Sequence, residues 1–373
     1  MKIVCSRESL LNAFTIASSV IKPNNAKEIL RNIKIEASNE GTVLQAGDSE
    51  IRIRINVSNV EVEEPGEAIL PTTRVRSVLS ESKSETVLVE VNGSNLILVT
   101  GGSKFKFPTE DPNEFPPVQP FVSDKYIQFN GVEFVKAIAQ TAFASDPMSG
   151  RAVFGGVLCS IDNNTAHFVA TDTRRMSHAS IPVTVVGDID VSKPISAVVP
   201  KATMQLAERV FANTEGEIKV LFENSLRVTF SSSSVTMYAQ LIEGVYPNWQ
   251  SIFQKNIVYE IPIIPSELTS AVKQASIVST PEYHGIIFEF KNNVLTLSGH
   301  SPEYGDSNVS LNIEFPHEEA FKTKISPSLI IDFLRVLEQS TPCTMQLING
   351  NNPVLFRPTA NFEYAVMPLS MAK

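Results

Sequence analysis

The chain repeats one pattern of structural elements three times, and this repetition limits its possible folds more than any other feature of its 373 residues. Each third opens with a short run of strand-forming residues, near residues 2, 126 and 258, and continues into an amphipathic helical pattern. Each third then reaches a proline at which a second helical pattern begins, at Pro71, Pro200 and Pro327. These prolines lie 129 and 127 residues apart, which indicates one supersecondary unit present in three copies.

The first helix of each third is predicted from apolar residues that fall on one helix face. These residues are Leu10, Phe14 and Ala17; Phe134 and Ile138; and Leu268, Val272 and Ala275. Ser6 and Ser266 are predicted N-caps, and Pro265 is predicted to mark the start of its helix.

A strand hairpin is predicted after the first helix of each third, because two β-rich runs flank a short polar turn. The turns contain Asn39-Glu40-Gly41, Asp162-Asn163-Asn164 and Lys291-Asn292-Asn293. The register repeats as well, since 16 residues separate Asn32 from Asp48, Gly156 from Asp172, and Gly285 from Ser301. The equivalence of Asp48 and Asp172 favours a shared structural turn over a catalytic carboxylate.

These patterns predict an α+β protein of three repeated domains with one topology, near residues 1–120, 121–252 and 253–373. Each domain is expected to hold two helices and about eight strands in antiparallel sheets. Open sheets leave edges that need a partner. We therefore expect edge strands to pair between successive domains and between subunits.

The composition points to a cytoplasmic protein without a basic surface overall. The net charge is −9, which argues against binding nucleic acid through bulk basicity but allows a few cations gathered on one face. Cys5, Cys159 and Cys343 are too few for a disulfide framework and are expected to be buried thiols. The N-terminus lacks a signal-peptide pattern, and no run of 18 apolar residues predicts a membrane span.

Known catalytic motifs are missing from the sequence. It contains no phosphate-binding loop, no dinucleotide fingerprint, no nucleophile elbow and no zinc-protease motif. Its five histidines show no metal-ligand spacing, and His167 is expected to have a packing or surface role. We expect no cofactor and no metal, and binding rather than catalysis, with an enzyme of an unrecognised type as a remaining alternative.

Every predicted long helix carries at least one cation on its polar face. The candidates for DNA contact are Arg74, Arg76, Lys136, Lys201, Arg209, Lys273 and Arg335, together with Lys22 in the loop after the first helix. One interpretation is an ordinary mixed, solvated surface. If all the helices face one way, the cations instead converge into a surface that contacts duplex phosphates without reading sequence.

Three short motifs carry a resemblance to a known family. They are Ala170-Thr171-Asp172 with Arg175-Met176, Glu243-Gly244 with Tyr246-Pro247-Asn248, and Val366-Met367-Pro368-Leu369 near the end of the chain. In this order, and with three repeats of two helices each, the chain resembles the bacterial DNA polymerase III beta subunit family, the sliding clamps. The resemblance extends over essentially the whole chain.

The resemblance implies the DNA clamp fold in a head-to-tail homodimeric ring, with helices lining the hole. Such a clamp encircles double-stranded DNA without sequence specificity and tethers the catalytic subunit of the replicative polymerase. A clamp-loader ATPase opens the ring, and other proteins that carry a clamp-binding motif share the same site. The ring interface implied here pairs Lys104, Phe105 and Phe107 with Ile277 and Val278.

The resemblance also implies a groove for partner peptides between the middle and last domains. Its residues are Phe154, Thr171, Thr173, Arg174, Arg175, Met176, Pro247, Ile252, Val366, Met367, Pro368 and Leu369. The apolar run Tyr364–Leu369 predicts a tail docked beside Thr171–Met176, since free tails are normally polar and disordered.

The chain departs from the family pattern at two points in this groove. Thr173-Arg174 stands where the family commonly has Gly-His, and Ser370 follows Pro368-Leu369 where the family has an arginine after Pro-x. These departures are expected to change the width and charge of the groove relative to the family pattern. The alternative from a different functional class is an interaction scaffold that binds peptides in this groove but does not encircle DNA.

Overall fold

The computed structural model describes residues 1–189, 195–223, 226–280 and 285–370, and this part of the chain contains seven α-helices, five short 3-10 helices and 26 strands. The helices are α1 Arg7–Ser18, α2 Thr72–Glu81, α3 Gly131–Thr141, α4 Lys201–Phe211, α5 Gln250–Phe253, α6 Pro265–Ala275 and α7 Pro327–Leu334. The α+β class and the pair of long helices in each third are confirmed. The short helix α5 was not predicted.

The strands fall into runs of nine, nine and eight along the chain. The first run is β1 Lys2–Ser6, β2 Ile33–Ser38, β3 Gly41–Gly47, β4 Ile51–Val57, β5 Val60–Glu64, β6 Gly66–Leu70, β7 Thr86–Asn92, β8 Asn95–Thr100 and β9 Ser103–Pro108. The second is β10 Tyr126–Asn130, β11 Gly156–Asp162, β12 Thr165–Thr171, β13 Arg175–Pro182, β14 Thr184–Val186, β15 Ile195–Pro200, β16 Glu217–Glu223, β17 Arg227–Ser231 and β18 Val235–Gln240. The third is β19 Tyr259–Ile263, β20 Ile286–Lys291, β21 Val294–Ser301, β22 Gly305–Asn312, β23 Phe321–Ile325, β24 Cys343–Leu347, β25 Val354–Thr359 and β26 Phe362–Val366.

The chain divides into two compact units. The first contains residues 1–135, 183–190 and 205–241, and the second contains residues 136–182, 191–204 and 242–373. Both units therefore combine segments from two successive thirds of the sequence.

The first unit holds a five-stranded and a nine-stranded sheet. The five-stranded sheet has the order β5-β1-β7-β8-β9, and the nine-stranded sheet has the order β14-β10-β16-β17-β18-β4-β3-β2-β6. Strands β18 and β4 join the larger sheet across two thirds of the chain, with Val235 opposite Ile55 and Ala239 opposite Ile51. This pairing confirms the predicted use of edge strands between successive repeats.

The second unit holds an eight-stranded and a four-stranded sheet. Their orders are β15-β11-β12-β13-β26-β25-β24-β19 and β22-β21-β20-β23. Here β13 and β26 make the junction between thirds, with Arg175 opposite Val366 and Ala179 opposite Phe362.

The three predicted hairpins are present as β2–β3, β11–β12 and β20–β21. In the second and third hairpins the two turn residues are consecutive asparagines with positive φ, at 47° and 61° for Asn163 and Asn164 and at 49° and 62° for Asn292 and Asn293. Asparagine tolerates this left-handed conformation better than most residues, and a turn with two such residues matches the twist of the paired strands.

The predicted structural turns are also confirmed. Asp48 Oδ1 accepts hydrogen bonds from the backbone N–H groups of Glu50 and Ile51, and Asp172 Oδ1 accepts them from Arg174 and Arg175. Both carboxylates thus close an Asx turn at the same point of the repeat, directly after a β-strand.

The helix starts follow their sequence signals with one exception. Ser6 caps α1 by accepting a hydrogen bond from Ser9 N, and Pro265 occupies the first turn of α6. The prediction of Ser266 as an N-cap is wrong, because the cap position is Ile264 and Ser266 lies inside the helix. The fixed φ of proline suits the first helical position, so Pro265 starts the helix before the serine is reached.

The helices bury one apolar face each against the sheets. α1 packs beside α2 and over β3 and β4, and α6 packs beside α7 and over β21 and β22. The buried faces of α1 and α6 contain the predicted residues Leu10, Phe14, Ala17, Leu268, Val272 and Ala275. The three cysteines are buried and unpaired, as predicted. Among the described residues, no helix is long and apolar enough to cross a membrane.

Candidate functional site

An apolar cluster in the second unit brings together residues that are distant in the sequence. Phe154, Met176 and Ile252, three of the predicted groove residues, belong to it. Its buried members are Val153, Phe154, Leu158, Val169, Met176, Val198, Phe253, Leu355 and Ala365, with Ile242, Tyr246, Trp249, Ile252 and Ile257 packed against them. We refer to these residues as the apolar cluster.

The loop before α5 forms one wall of the apolar cluster. The ring of Tyr246 meets the ring of Phe154 edge-on, with centroids 6.1 Å apart, and its hydroxyl donates to Val169 O. Burial raises the pKa of Tyr246 above its ordinary value, so this hydroxyl stays a donor. Gly244 lets the loop approach, because a Cβ there would lie only 2.7 Å from Val153 Cγ1. This contact, together with a φ of 140°, explains the glycine in the Glu243-Gly244 motif.

A tight turn, residues 171–175, directly precedes Met176 and borders the apolar cluster. Thr173 has a φ of 74°, a left-handed conformation that is unfavourable for a β-branched residue. Thr171 Oγ1 accepts a hydrogen bond from Thr173 N and donates one to Arg175 O. A glycine would adopt this backbone shape without strain.

Arg175 lies beneath the turn rather than on its surface. Its Nε and Nη1 atoms lie 3.0 Å and 2.8 Å from carboxylate oxygens of Asp172 and Asp332, and its Nη2 donates to Phe143 O. Burial lowers the pKa of Arg175, but the hydrogen bond to Asp332 and the charge of Asp172 outweigh it, and the net shift is upward. The guanidinium therefore remains charged while its side chain is only 10% exposed.

The segment Tyr364–Leu369 is docked beside the turn, as predicted. Val366 pairs with Arg175 in the sheet, and Met367 N donates to Arg174 O over 2.7 Å. Leu369 N donates to Lys324 O. Leu369 then lies against Gly285, on a cavity of about 610 Å³ that also includes Ile287 and Ser298. Leu369 is thus held by the four-stranded sheet and lies outside the apolar cluster.

The remaining predicted groove residues border the apolar cluster. Thr171 and Val366 are buried, Pro247 and Pro368 are half-buried, and Thr173, Arg174 and Met367 are exposed. Arg151, which was not predicted, stands over the ring of Phe154 with 5.8 Å between its Cζ and the ring centroid. Arg151 and Arg174 place two exposed positive charges beside this apolar surface.

The sequence did not predict the roles of four contributors to this site: Arg151, Tyr246, Trp249 and Asp332. The sequence indicates Tyr246 only as part of a motif. Trp249 is not among the predicted groove residues, but it packs on the apolar cluster. The one signal for Trp249 was that it is the single tryptophan of the chain, next to the Tyr246-Pro247-Asn248 motif. Asp332 carries no local signal at all, since it binds Arg175 from 157 positions away.

The eight predicted DNA-contact residues differ in their exposure to solvent and in whether they already form ion pairs or hydrogen bonds. Arg74, Arg76, Lys136, Arg209, Lys273 and Arg335 are exposed, and Arg74 and Arg76 border a cavity of about 490 Å³ that also includes Arg31. Lys22 is exposed, but its amine lies 2.6 Å from a carboxylate oxygen of Glu50 and 2.9 Å from one of Asp48. Hydrogen bonds to these two carboxylates raise the pKa of Lys22.

Lys201 is half-buried and engaged with the backbone. Its amine donates to Ser145 O over 2.9 Å, and burial followed by the nearby charge of Arg175 lowers its pKa. Arg335 Nη1 lies 3.4 Å from Asp332 Oδ1, at the exposed end of the same carboxylate that holds Arg175. The most available cations are therefore Arg74, Arg76, Lys136, Arg209 and Lys273.

The predicted ring-interface residues occupy a sheet edge in one unit and a helix end in the other. Strand β9 is the edge of the five-stranded sheet, and Phe105 and Phe107 stack on one face of it with centroids 6.5 Å apart. Lys104 is exposed on the same strand. Ile277, directly after α6, is 78% exposed, whereas Val278 is buried within its own unit.

Family comparison matches all three thirds of the sequence. The N-terminal, central and C-terminal domains of the DNA polymerase III beta subunit match residues 1–119, 128–248 and 250–371. The chain belongs to the DNA polymerase III beta subunit family. This family is the sliding clamp, a non-catalytic processivity subunit of the polymerase, and the predicted function is confirmed at this level.

Individual members of this family are distant in sequence but similar in fold. A beta sliding clamp of Staphylococcus aureus strain N315 is 23% identical over 367 residues, which is 96% of each chain. The DNA polymerase sliding clamp of Bacillus subtilis superposes with a TM-score of 0.90 at 21% identity, over the full length of both chains. A sliding clamp of Pseudomonas aeruginosa bound to griselimycin superposes with a TM-score of 0.91 at 20% identity and equal coverage.

Proposed function

We propose that two copies of this chain join head to tail into a ring that encircles duplex DNA. The observation that carries this proposal is the distribution of sheet edges. Within the chain, strands of successive repeats join into sheets of nine and eight strands, which leaves a five-stranded and a four-stranded sheet with β9 and β22 at open edges. Pairing β9 of one copy with β22 of the other would complete a further nine-stranded sheet at each of two interfaces.

An exposed apolar side chain near β22 and a cavity beside β9 support the same pairing. A cavity of about 450 Å³ lies between α2 and β9, and Val78, Thr100 and Phe105 are among its lining residues. Ile277 is an exposed apolar side chain near β22, since the 3-10 turn Ser276–Val278 packs on that strand. We propose that Ile277 of one copy fills this cavity of the other, while Val278 supports it from within its own unit.

The three domains of each copy are proposed to lie at residues 1–120, 121–252 and 253–373. The two helices of each domain would then line the hole and present the exposed cations to DNA. Contacts of this kind go to phosphates, so they are independent of base sequence and weaken as salt is added. A chain with this role would work in the cytoplasm, where bacterial DNA is replicated.

The apolar cluster and the turn 171–175 are proposed as the groove for partner peptides. An apolar floor beside a few polar groups is ordinary binding-site anatomy. The exposed Arg151 and Arg174 favour peptides that combine large apolar side chains with acidic ones. The proposed partners are the replicative polymerase, the clamp-loader ATPase and other proteins with the same type of peptide.

Retention on circular DNA tests this function against the peptide-binding scaffold. The dimer is loaded onto a nicked circular plasmid by the clamp loader of its own organism, and the plasmid is then separated from free protein by gel filtration. A ring should stay with the circle and be lost when the circle is linearised. Peptide binding without any such retention would support the scaffold and contradict the ring.

A further inference from the structure

Arg175 is placed to support the groove from beneath rather than to contact a peptide. Each of its three guanidinium nitrogens already has a partner: Asp172, Asp332 and the carbonyl of Phe143. Its side chain is 10% exposed, and it also stands over the ring of Phe143, 5.4 Å from the centroid. A residue this fully engaged affects a ligand through the backbone it holds in place.

That backbone is the strained turn. Thr173, with its φ of 74°, is flanked by hydrogen bonds from the N–H groups of Arg174 and Arg175 to Asp172 Oδ1. The other oxygen of Asp172 binds the Arg175 guanidinium. A left-handed β-branched residue persists only where surrounding contacts hold it, and here those contacts meet at Arg175.

The C-terminal segment depends on the same turn. Met367 N donates to Arg174 O, and Val366 lies opposite Arg175 in the sheet. Met176, the next residue, belongs to the apolar cluster. A shift of Arg175 would therefore move both the turn and the tail that border the groove.

Asp332 is the distant anchor of this arrangement. It projects from α7 and meets Arg175 Nη1 at 2.8 Å. Lys201 Nζ lies 3.5 Å from Phe143 O, the carbonyl that also accepts from Arg175 Nη2, so this region holds two cations together. Without the Asp332 carboxylate, Arg175 would face Lys201 with less compensation and would turn away from its present position.

We infer that Asp332 is a positioning residue of the partner groove, which it shapes by fixing Arg175 under the strained turn at Thr173. This inference rests on the proposed function of the groove. It assigns to α7 a role in partner binding in addition to the DNA contact proposed for the helices.

Peptide affinity and backbone exchange test the role of Asp332 in the full-length dimer. The probe is a fluorescein-labelled peptide from the tail of the polymerase of the same organism, titrated by fluorescence anisotropy. Asp332→Asn should weaken peptide binding about tenfold, a change of about 1.4 kcal/mol. The matched control is Glu338→Gln, an exposed carboxylate shortly after α7, which should bind the peptide like the wild type.

A double-mutant cycle separates positioning from general destabilisation. Thr173→Gly removes the strain, so the turn no longer needs the Arg175 anchor to the same extent. The variant Asp332→Asn with Thr173→Gly should therefore recover most of the lost affinity. Thr173→Gly alone completes the cycle, and urea unfolding of all four proteins measures any general loss of folding separately from the peptide affinity. If Asp332→Asn does not fold, Asp332→Glu, which keeps the charge but displaces it, is measured in its place.

Hydrogen exchange at the Arg174, Arg175 and Met367 amides gives a readout that needs no peptide. These amides should exchange faster in Asp332→Asn and return toward wild-type rates in the double variant. Unchanged exchange, unchanged affinity, or a double variant as weak as Asp332→Asn alone would each overturn the inference. A wild-type protein that binds no peptide but shows the expected exchange pattern would contradict the proposed groove and leave Asp332 as the anchor of the turn.

Discussion

Replacing Ile277 with aspartate should convert the proposed ring into folded monomers. Ile277 is 78% exposed in a single copy, so its loss removes little from the core of its own chain. In the proposed ring it fills the cavity of about 450 Å³ between α2 and β9 of the other copy. An aspartate at this position would bring an unpaired charge to an apolar surface.

The size of the effect follows from the area that becomes buried. Burying one isoleucine side chain stabilises an interface by about 1.5–3 kcal/mol. A closed dimeric ring contains two such interfaces, so the substitution removes about 3–6 kcal/mol in total from the free energy that holds the dimer together. This corresponds to an increase of about 10²- to 10⁴-fold in the dimer dissociation constant, before the cost of the buried charge is added.

Sedimentation velocity over a concentration series measures this change. Val258→Asp is the matched control, because Val258 is 59% exposed and lies in the same unit. It should sediment like the wild type, near twice 40.9 kDa. Ile277→Asp should sediment as a monomer with unchanged far-ultraviolet circular dichroism. A variant that remains a dimer with the wild-type dissociation constant would refute the proposed contact.

Mixing two variants tests the head-to-tail arrangement itself. Phe105→Glu disrupts the cavity, and Ile277→Asp removes the side chain that is proposed to fill it. A dimer of either variant alone therefore has two damaged interfaces. A mixture can form one intact interface, between the Ile277 of the first variant and the cavity of the second. Association should therefore be stronger in the mixture than in either variant, and no gain on mixing would contradict a head-to-tail interface.

Three further predictions concern DNA, the groove loop and pH. Reversing Arg74 and Arg76 to glutamate should reduce loading on nicked circles most at low salt, with the dimer mass unchanged, and equal loading at all salt concentrations would argue against this contact. Gly244→Ala should destabilise the chain by about 1–3 kcal/mol in urea unfolding, because its Cβ would press on Val153, whereas an unchanged midpoint would contradict this packing. Burial, and then the neighbouring His178, lowers the pKa of His167, so the folded chain favours its neutral form. The stability from this group is complete above about pH 6.5 and is lost as the pH falls below that value, and His167→Gln should make unfolding less dependent on pH in this range.

The repetition of the sequence carried most of the fold prediction. Periodicity located the long helices and the three hairpins, because these depend on neighbouring residues and on turn-forming asparagines. The error at Ser266 was also local, since two helix-start signals, proline and serine, compete within two positions and proline prevails. The sequence predicted that strands of successive thirds would pair, but not that β13 would pair with β26. The residues of an edge strand carry no signal for which strand they will pair with.

The candidate site was less predictable because it depends on long-range contacts. Family resemblance named Arg175 as a groove residue, but only the structure shows it bound between Asp172 and Asp332. Leu369 stays a predicted groove residue, and the structure places its side chain next to Gly285. Nothing in the spacing of residues shows that a tail will continue past one sheet onto another.

The distribution of free charge bears on how the clamp stays on DNA. The chain has a net charge of −9, and three of its eight candidate cations, Lys22, Lys201 and Arg335, are already engaged within the chain. Each free phosphate contact adds to affinity and to its salt dependence, so a small number of exposed cations gives weak and salt-sensitive binding. Weak contact of this kind suits a protein that slides, because strong phosphate binding would slow its movement. Retention would then depend on closure of the ring, and weakening the contact of Ile277 should release the protein from circular DNA even with every exposed cation left intact.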